Sequence, residues 1–188
     1  MVAATAQPKY QEAWAPIPTG FTHVDFDDIT QIKNATNENT VAVMLEPVQS
    51  EGGVNIPSSD YLSNVRSWCD ENNLLLIFDE VSTGLGRLGE LFGYQLFDVE
   101  PDVLTLAKGL GGGVPIGAFL CNQRANVLEP GDHGSTFGGN ALTCAASEAS
   151  TRFIIEEDVP GNSRNVGKYM KDQLENLRMK HEIISDVR

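Results

Sequence analysis

The sequence has few cysteines, few basic residues and no long apolar run, and each shortage argues against a class of protein. Its three cysteines, Cys69, Cys121 and Cys144, form no CxxC pair, which disfavours a disulfide framework or a zinc site and favours free thiols in a reducing compartment. Thirteen Lys and Arg against 26 Asp and Glu give a net charge of −13, which is unfavourable for binding nucleic acid or an anionic membrane. No apolar run approaches the roughly 20 residues that span a bilayer.

Signals for targeting and for nucleotide binding are also missing. The amino-terminal residues lack the basic-then-apolar order of a signal peptide, so we expect the cytosol, or an organelle matrix if a longer parent carries a transit peptide. No GxxxxGK[ST] phosphate loop occurs. A GxGxxG run at residues 84–89 does not directly follow its strand, and the next strand ends at a lysine rather than an acid, which disfavours a dinucleotide fold.

Apolar runs alternate with helical patterns along the chain, which predicts an α/β fold with a mostly parallel sheet flanked by helices. Residues 1–26 are punctuated by prolines and read as an irregular loop, and Pro160-Gly161 reads as a break. The predicted strands are residues 41–45, 74–78, 103–106 and 116–121. The predicted helices run from Asp27 or Asp28 to about Asn34, from Ser58 or Ser59 to about Asn72, and over about 141–156 and 166–181.

The main clue to function is a lysine and an acid that follow two of these strands. Asp79 follows the run 74–78, and Lys108 follows the run 103–106 within a glycine-rich segment. If both strands are parallel members of one sheet, both side chains emerge at its carboxyl edge, where open α/β sheets bind ligands. Pyridoxal phosphate needs such a pair, because the lysine forms a Schiff base with it and the acid keeps its ring nitrogen protonated.

Two further segments offer binding groups. The loop at residues 131–140 contains Ser135 and Thr136 among glycines and precedes a predicted helix, so its N–H groups and hydroxyls could hold a phosphate. Glu46 and Glu51 follow the first strand and should lie at the same sheet edge as Asp79 and Lys108. Either acid could hold a substrate amine or pair with an arginine.

Four runs together resemble the class III aminotransferases of the ornithine and acetylornithine type. They are LEPVQSEGGV at 45–54, FDEVSTGLGR at 78–87, DVLTLAKGLGGGVPIGA at 102–118 and GDHGSTFGGN at 131–140. They follow the order and spacing of that family, and the last two lean toward its acetylornithine members. The resemblance implies the large domain of the aspartate-aminotransferase-like fold (fold type I of the pyridoxal-phosphate enzymes). It also implies a homodimer whose protomers share active sites.

The resemblance implies a role for each matching residue. Lys108 would bind the cofactor and shuttle a proton between the substrate carbon and the cofactor, and Asp79 would bind the ring nitrogen. Val81 would pack on the ring face, and Thr136, with Ser135 beside it, would contact the cofactor phosphate of the neighbouring protomer. Glu51 would pair with a substrate-binding arginine, and Glu46 remains a second candidate for contact with the substrate.

Three departures from the family pattern matter. Ser82 stands where the family usually has a glutamine that contacts the ring hydroxyl of the cofactor, so we expect a water to bridge this gap. Ser50 stands where glycine is usual. The chain also resembles only an interior part of the family, which implies an incomplete large domain over 1–159 and, over 160–188, a linker helix with the start of a truncated small domain.

The expected reaction moves the terminal amino group of N-acetylornithine, or a related ω-amino acid, to 2-oxoglutarate. Ornithine or 4-aminobutyrate is the alternative donor. A different hypothesis is an inactive fragment that serves only in subunit pairing. Since segments of the family pattern are missing, we also expect exposed apolar edges and aggregation or dependence on a partner chain.

Overall fold

The predicted strands form one sheet in the structure, a computed structural model that describes residues 2–188. The strands β1 (Ala42–Leu45), β2 (Leu75–Asp79), β3 (Val103–Leu106) and β4 (Ala118–Cys121) lie side by side in chain order. β1 and β2 pair in parallel, as do β2 and β3, whereas β4 runs antiparallel to β3. The prediction of a mostly parallel sheet with helices is confirmed, and the fourth strand begins at Ala118 rather than at residue 116.

The helix after the amino-terminal segment agrees with the sequence pattern, whereas the segment itself differs from it. α2 (Ile29–Ala35) is capped as predicted by Asp28, whose carboxylate accepts hydrogen bonds from the N–H groups of Thr30 and Gln31. The irregular loop expected over 1–26 (residue 1 lies outside the described residues) instead contains α1 (Pro8–Gln11) and a 3-10 helix, Glu12–Trp14. Pro8 favours this short helix because proline suits a first helical turn.

α3 packs its apolar stripe against the sheet. It spans Tyr61–Glu71 and buries Leu62, Val65 and Cys69 as predicted. The cap predicted at Ser58 or Ser59 is wrong, because the helix begins at Tyr61 after an N-cap at Asp60. Leu76 and Phe78 of β2 are fully buried, so the centre of the sheet and α3 share one core.

α4 (Gly93–Phe97), α5 (Ala141–Glu156) and α6 (Val159–Arg178) complete the α-helices of residues 2–188. α5 has the predicted bounds, but α6 begins seven residues earlier than the predicted 166 (166 − 159). Pro160 lies in the first turn of α6, where its missing N–H is not needed, and the side chain of Asp158 accepts a hydrogen bond from the N–H of Gly161. The Pro160-Gly161 pair therefore starts a helix and does not break the chain.

Backbone contacts divide the chain into one unit that ends at Thr40 and a second that begins at Val41. The second unit contains the sheet and all candidate site residues. The predicted division at 159/160 stays a prediction.

Cys69, Cys121 and Cys144 are free thiols. Over residues 2–188, no helix is both long and apolar enough to cross a bilayer.

Candidate active site

The carboxyl ends of three neighbouring parallel strands bring the predicted residues to one edge of the sheet. Asp79 is the last residue of β2, Glu46 follows the end of β1, and Lys108 comes two residues after β3. The register pairs Leu45 with Phe78 and Asp79 with Thr105, so the three strands end at similar levels. The sheet therefore juxtaposes an amine and two carboxylates, as the apolar runs predicted.

The backbone of Lys108 has an uncommon conformation. Its φ is +39°, in the left-handed region that side chains other than glycine rarely adopt, and it opens the short 3-10 helix Lys108–Gly111. Its Nζ donates a hydrogen bond to Oγ of Ser82 and lies 3.5 Å from Oε1 of Glu51. About half of the Lys108 side chain is exposed, so the amine is accessible to a ligand.

One carboxylate oxygen of Asp79 accepts a hydrogen bond from the turn that follows β2, and the other can accept a further one. Its Oδ1 accepts a hydrogen bond of 2.9 Å from the N–H of Val81. No donor within residues 2–188 bonds to Oδ2. The Asp79–Val81 bond fixes the direction of the carboxylate and leaves Oδ2 able to accept a further hydrogen bond.

A buried acid that the sequence analysis did not single out supports this turn. Glu80 is 1% exposed, and its carboxylate accepts hydrogen bonds from the N–H groups of Gly93 and Tyr94 at the start of α4. Burial raises the pKa of Glu80, and the two N–H donors partly oppose that rise. Glu80 thus joins the turn after β2 to α4. The sequence places Glu80 directly after Asp79, at the end of a predicted strand. Nothing in the neighbouring residues tells which of the two acids is buried and which faces the site.

Glu46 organises the loop that carries Glu51. Its Oε2 accepts a hydrogen bond of 3.1 Å from the N–H of Ser50. Burial raises the pKa of Glu46, the Ser50 N–H and nearby Lys108 lower it, and the charges of Asp79 and Glu51 raise it, with a net rise. Glu46 thus lies close enough to Asp79, Glu51 and Lys108 for their charges to act on its carboxylate.

Glu51 is highly exposed, with 72% of its side chain accessible. Its loop closes on itself, because the backbones of Gln49 and Asn55 exchange two hydrogen bonds. Whether Glu46 or Glu51 contacts substrate stays a prediction.

The loop at 131–140 lies open. Ser135 and Thr136 are exposed, and Oγ of Ser135 accepts a hydrogen bond of 2.9 Å from the N–H of Gly138. Asn140 ends the loop by capping α5 through the N–H of Thr143. In the described part of the chain, neither Ser135 nor Thr136 bonds to Asp79 or Lys108. Their predicted phosphate contact stays a prediction.

The residues at the sheet edge fit the chemistry of pyridoxal phosphate. An accessible primary amine can condense with an aldehyde, and a directed carboxylate with an oxygen available can hold a pyridinium proton. Val81 follows on the same turn and is half-buried.

The chain matches one family over its whole length. The aminotransferase class-III family model covers residues 1–188. The acetylornithine aminotransferase of Methanocaldococcus jannaschii is 50% identical over 188 residues, which are 100% of this chain and 47% of that protein. Ornithine aminotransferase 2 of Staphylococcus saprophyticus is 48% identical over 189 residues, with coverages of 100% and 47%. The chain thus spans about half the length of the curated relatives it matches.

Solved structures agree with the fold. The ornithine aminotransferase of Toxoplasma gondii superposes with a TM-score of 0.88 at 36% identity, over 93% of this chain and 42% of that one. The acetylornithine aminotransferase of Elizabethkingia anophelis gives a TM-score of 0.85 at 37% identity, over 90% and 43%. At these identities the likeness extends to both sequence and fold.

Proposed function

The chain belongs to the class-III aminotransferases, and we propose that it forms part of an enzyme that moves the terminal amino group of N-acetylornithine, or a related ω-amino acid, to 2-oxoglutarate. The observation that carries this proposal is the placement of Lys108 and Asp79 at the carboxyl ends of adjacent parallel strands.

The cofactor of this family is pyridoxal phosphate, which supplies an aldehyde that receives the amino group and a ring that withdraws electrons. Nζ of Lys108 would hold the aldehyde carbon, and the available oxygen of Asp79 would hold the ring nitrogen. Val81 would pack on the ring, and Ser82 would face the ring hydroxyl through a water. Thr136, with Ser135, would bind the phosphate of the partner protomer in a homodimer.

The protein's own groups would carry the proton transfers. Nζ of Lys108 would take a proton from the substrate carbon that bears the amino group and would deliver it to the former aldehyde carbon of the cofactor. Glu51 lies 3.5 Å from this amine, where its carboxylate would pair with the ammonium group until a substrate group or an arginine engages the carboxylate. Glu46 would support Glu51 through the N–H of Ser50.

The choice of amine is the finer part of the proposal. The acetylornithine and ornithine relatives differ by only two points of identity to this chain, 50% and 48%. The two sequence runs that lean toward acetylornithine favour that donor, with ornithine or 4-aminobutyrate as the alternative.

Free thiols fit a cytoplasmic location. Apolar side chains exposed on α5 and α6, such as Phe153 and Tyr169, fit a homodimer.

Cofactor binding is tested first. Pyridoxal phosphate is added to the purified 188-residue chain, its visible absorption is recorded, and borohydride is used to trap the adduct for peptide mapping. We expect a band in the parent chain and in Lys168→Ala, an exposed lysine of α6, but none in Lys108→Ala. A band that survives Lys108→Ala would overturn the assignment.

Turnover is tested with the same chain. Glutamate formation from 2-oxoglutarate is measured with N-acetylornithine, ornithine or 4-aminobutyrate as donor. We expect N-acetylornithine to give the highest kcat/KM. Bound cofactor without glutamate from any donor would support the inactive subunit-pairing alternative.

A further inference from the structure

Ser82 is the side chain that holds the amine of Lys108. Nζ of Lys108 donates a hydrogen bond to Oγ of Ser82, whereas the carboxylate of Glu51 lies 3.5 Å away on a highly exposed side chain. An exposed ion pair is screened by water and constrains geometry weakly. The hydroxyl is therefore the group that sets the direction of the amine.

The turn that carries Ser82 is anchored on both sides. The N–H of Val81 bonds to Asp79, and the carboxylate of Glu80 is buried against the start of α4. The N–H of Gly84 bonds to the carbonyl of Glu80 at 3.0 Å. A Cβ on Gly84 would approach that carbonyl and the side chain of Leu106 to 2.9 Å, so the turn is closely packed against β3. Ser82 thus presents its hydroxyl from a fixed support.

The chemistry of a hydroxyl suits a lysine that changes its charge. Oγ can accept a hydrogen bond from an N–H of the ammonium group or of the neutral amine, and this contact leaves the lone pair of the neutral amine free to react. The carboxylate of Glu51 attracts the amine chiefly through its charge, and that attraction is lost when the amine is neutral. The hydrogen bond to Ser82 therefore serves both states of Lys108.

We propose that Ser82 is a positioning residue that holds Nζ of Lys108 in place for attack on the cofactor aldehyde, whose oxygen would leave as water, and for proton transfer. This role rests on the proposed function, because it assigns Lys108 as the cofactor-binding amine. It is additional to the water-mediated contact with the ring hydroxyl proposed above, because the direct partner of Ser82 is the lysine itself. Because the side chain of Ser82 is short, its hydrogen bond places Nζ of Lys108 close to the backbone of the turn after β2.

The matched variants are Ser82→Thr, which keeps the hydroxyl, and Ser82→Val, which has the shape of the threonine variant without the hydroxyl. The first measurement uses the cofactor-free chain and follows exchange of the Lys108 ammonium hydrogens with water by 15N NMR, with Lys168 as the exposed reference. We expect exchange at Lys108 to be slower than at Lys168 by about three- to tenfold, the size of one modest hydrogen bond. The Ser82→Thr variant should keep this difference, and the Ser82→Val variant should abolish it.

The second measurement is the rate at which pyridoxal phosphate is captured by Lys108, followed by absorption and trapped with borohydride. We expect capture to be about three- to tenfold slower in Ser82→Val than in Ser82→Thr, because the amine loses its fixed direction. Equal capture rates, or exchange at Lys108 that is alike in the two variants, would overturn the role of Ser82. Absence of any adduct on Lys108 in the parent chain would overturn the proposed function, while the exchange measurement would still decide the Ser82 contact.

Discussion

Asp79 and Thr105 are register partners in the parallel pair β2–β3. Lys108 follows Thr105 by three residues (108 − 105), so the amine emerges just beyond the level at which the carboxylate leaves the neighbouring strand. The relationship depends on strand pairing rather than on any long loop. An acid and a lysine separated by more than two dozen residues in the chain thereby become neighbours at one edge.

Replacing Asp79 by Asn tests the acid of this pair. Asn can still accept the hydrogen bond from Val81, but it cannot hold a pyridinium proton with a negative charge. Because hydrogen bonds to charged groups contribute about 1.5–3 kcal/mol, we expect pyridoxal phosphate to bind about 10- to 100-fold more weakly. Titration of the visible band measures this, and Asp98→Asn, at an exposed acid, is the matched control. Equal affinity in both variants would remove Asp79 from the site.

The sheet edge was predictable because apolar runs mark buried strands and because parallel strands end together. This placed Asp79, Lys108, Glu46 and Glu51 without any knowledge of long-range contacts. The antiparallel direction of β4 was not readable in the same way. Its pattern at 118–121 is simply apolar, and direction depends on the path of the preceding loop.

Glu80 shows what local patterns cannot supply. It follows Asp79 directly, and both look like acids at a strand end. Its burial arises only because Gly93 and Tyr94, more than ten residues later, turn back to donate their N–H groups. The predicted start of α6 was wrong for another reason, because Pro160 is compatible with either a chain break or a first helical turn.

Asp102 should be a major contributor to stability. Its buried carboxylate accepts hydrogen bonds from the N–H of Leu76 at 2.8 Å, from Nδ2 of Asn122 at 2.9 Å and from Nη1 of Arg66 at 2.9 Å. Asp102→Asn puts an amide N–H₂ among these donors, so we expect a loss of about 1–3 kcal/mol in the free energy of unfolding at pH 7. Asp70→Asn, at the exposed partner of Arg66, should cost about 0.5 kcal/mol. Urea unfolding measures both, and equal losses would contradict the prediction.

The pKa of Asp102 predicts part of the loss of stability at acid pH. Burial alone would raise the pKa of Asp102, but the hydrogen bonds from Leu76, Asn122 and Arg66 together lower it below 3.8. A lowered folded-state pKa means that the contribution to stability is complete above 3.8 and is lost as the pH falls through the folded-state value. We expect Asp102→Asn to lose less stability than the parent chain below that pH. A parallel fall in both proteins would count against this contribution.

Glu46 should have the opposite pH dependence. Its pKa is raised above 4.5, mainly by burial, so its stabilising contribution is complete below 4.5 and is lost as the pH rises through the folded-state value. Glu46→Gln keeps an oxygen for the N–H of Ser50 and removes the charge. We expect this variant to be more stable than the parent at pH 7 and the gain to shrink toward pH 4.5, as measured by urea unfolding across that range. Glu100→Gln, at an exposed acid, should show no such trend. A gain at Glu46 that is constant with pH would contradict the assignment.

Glu80→Ala tests whether the buried acid supports the site as well as the fold. The change leaves the N–H groups of Gly93 and Tyr94 without their acceptor in a buried place, which should cost about 2 kcal/mol or more in the free energy of unfolding. Glu90→Ala, whose side chain pairs with Arg164 at the surface, should cost about 0.5 kcal/mol. Since the Glu80 turn also carries Ser82, we expect amide hydrogen exchange at Tyr94 and ammonium exchange at Lys108 to accelerate together under conditions where the variant remains folded. Acceleration at Tyr94 with unchanged exchange at Lys108 would mean that α4 and the Lys108 contact are independent, and that the support of Ser82 comes from the Asp79–Val81 bond alone.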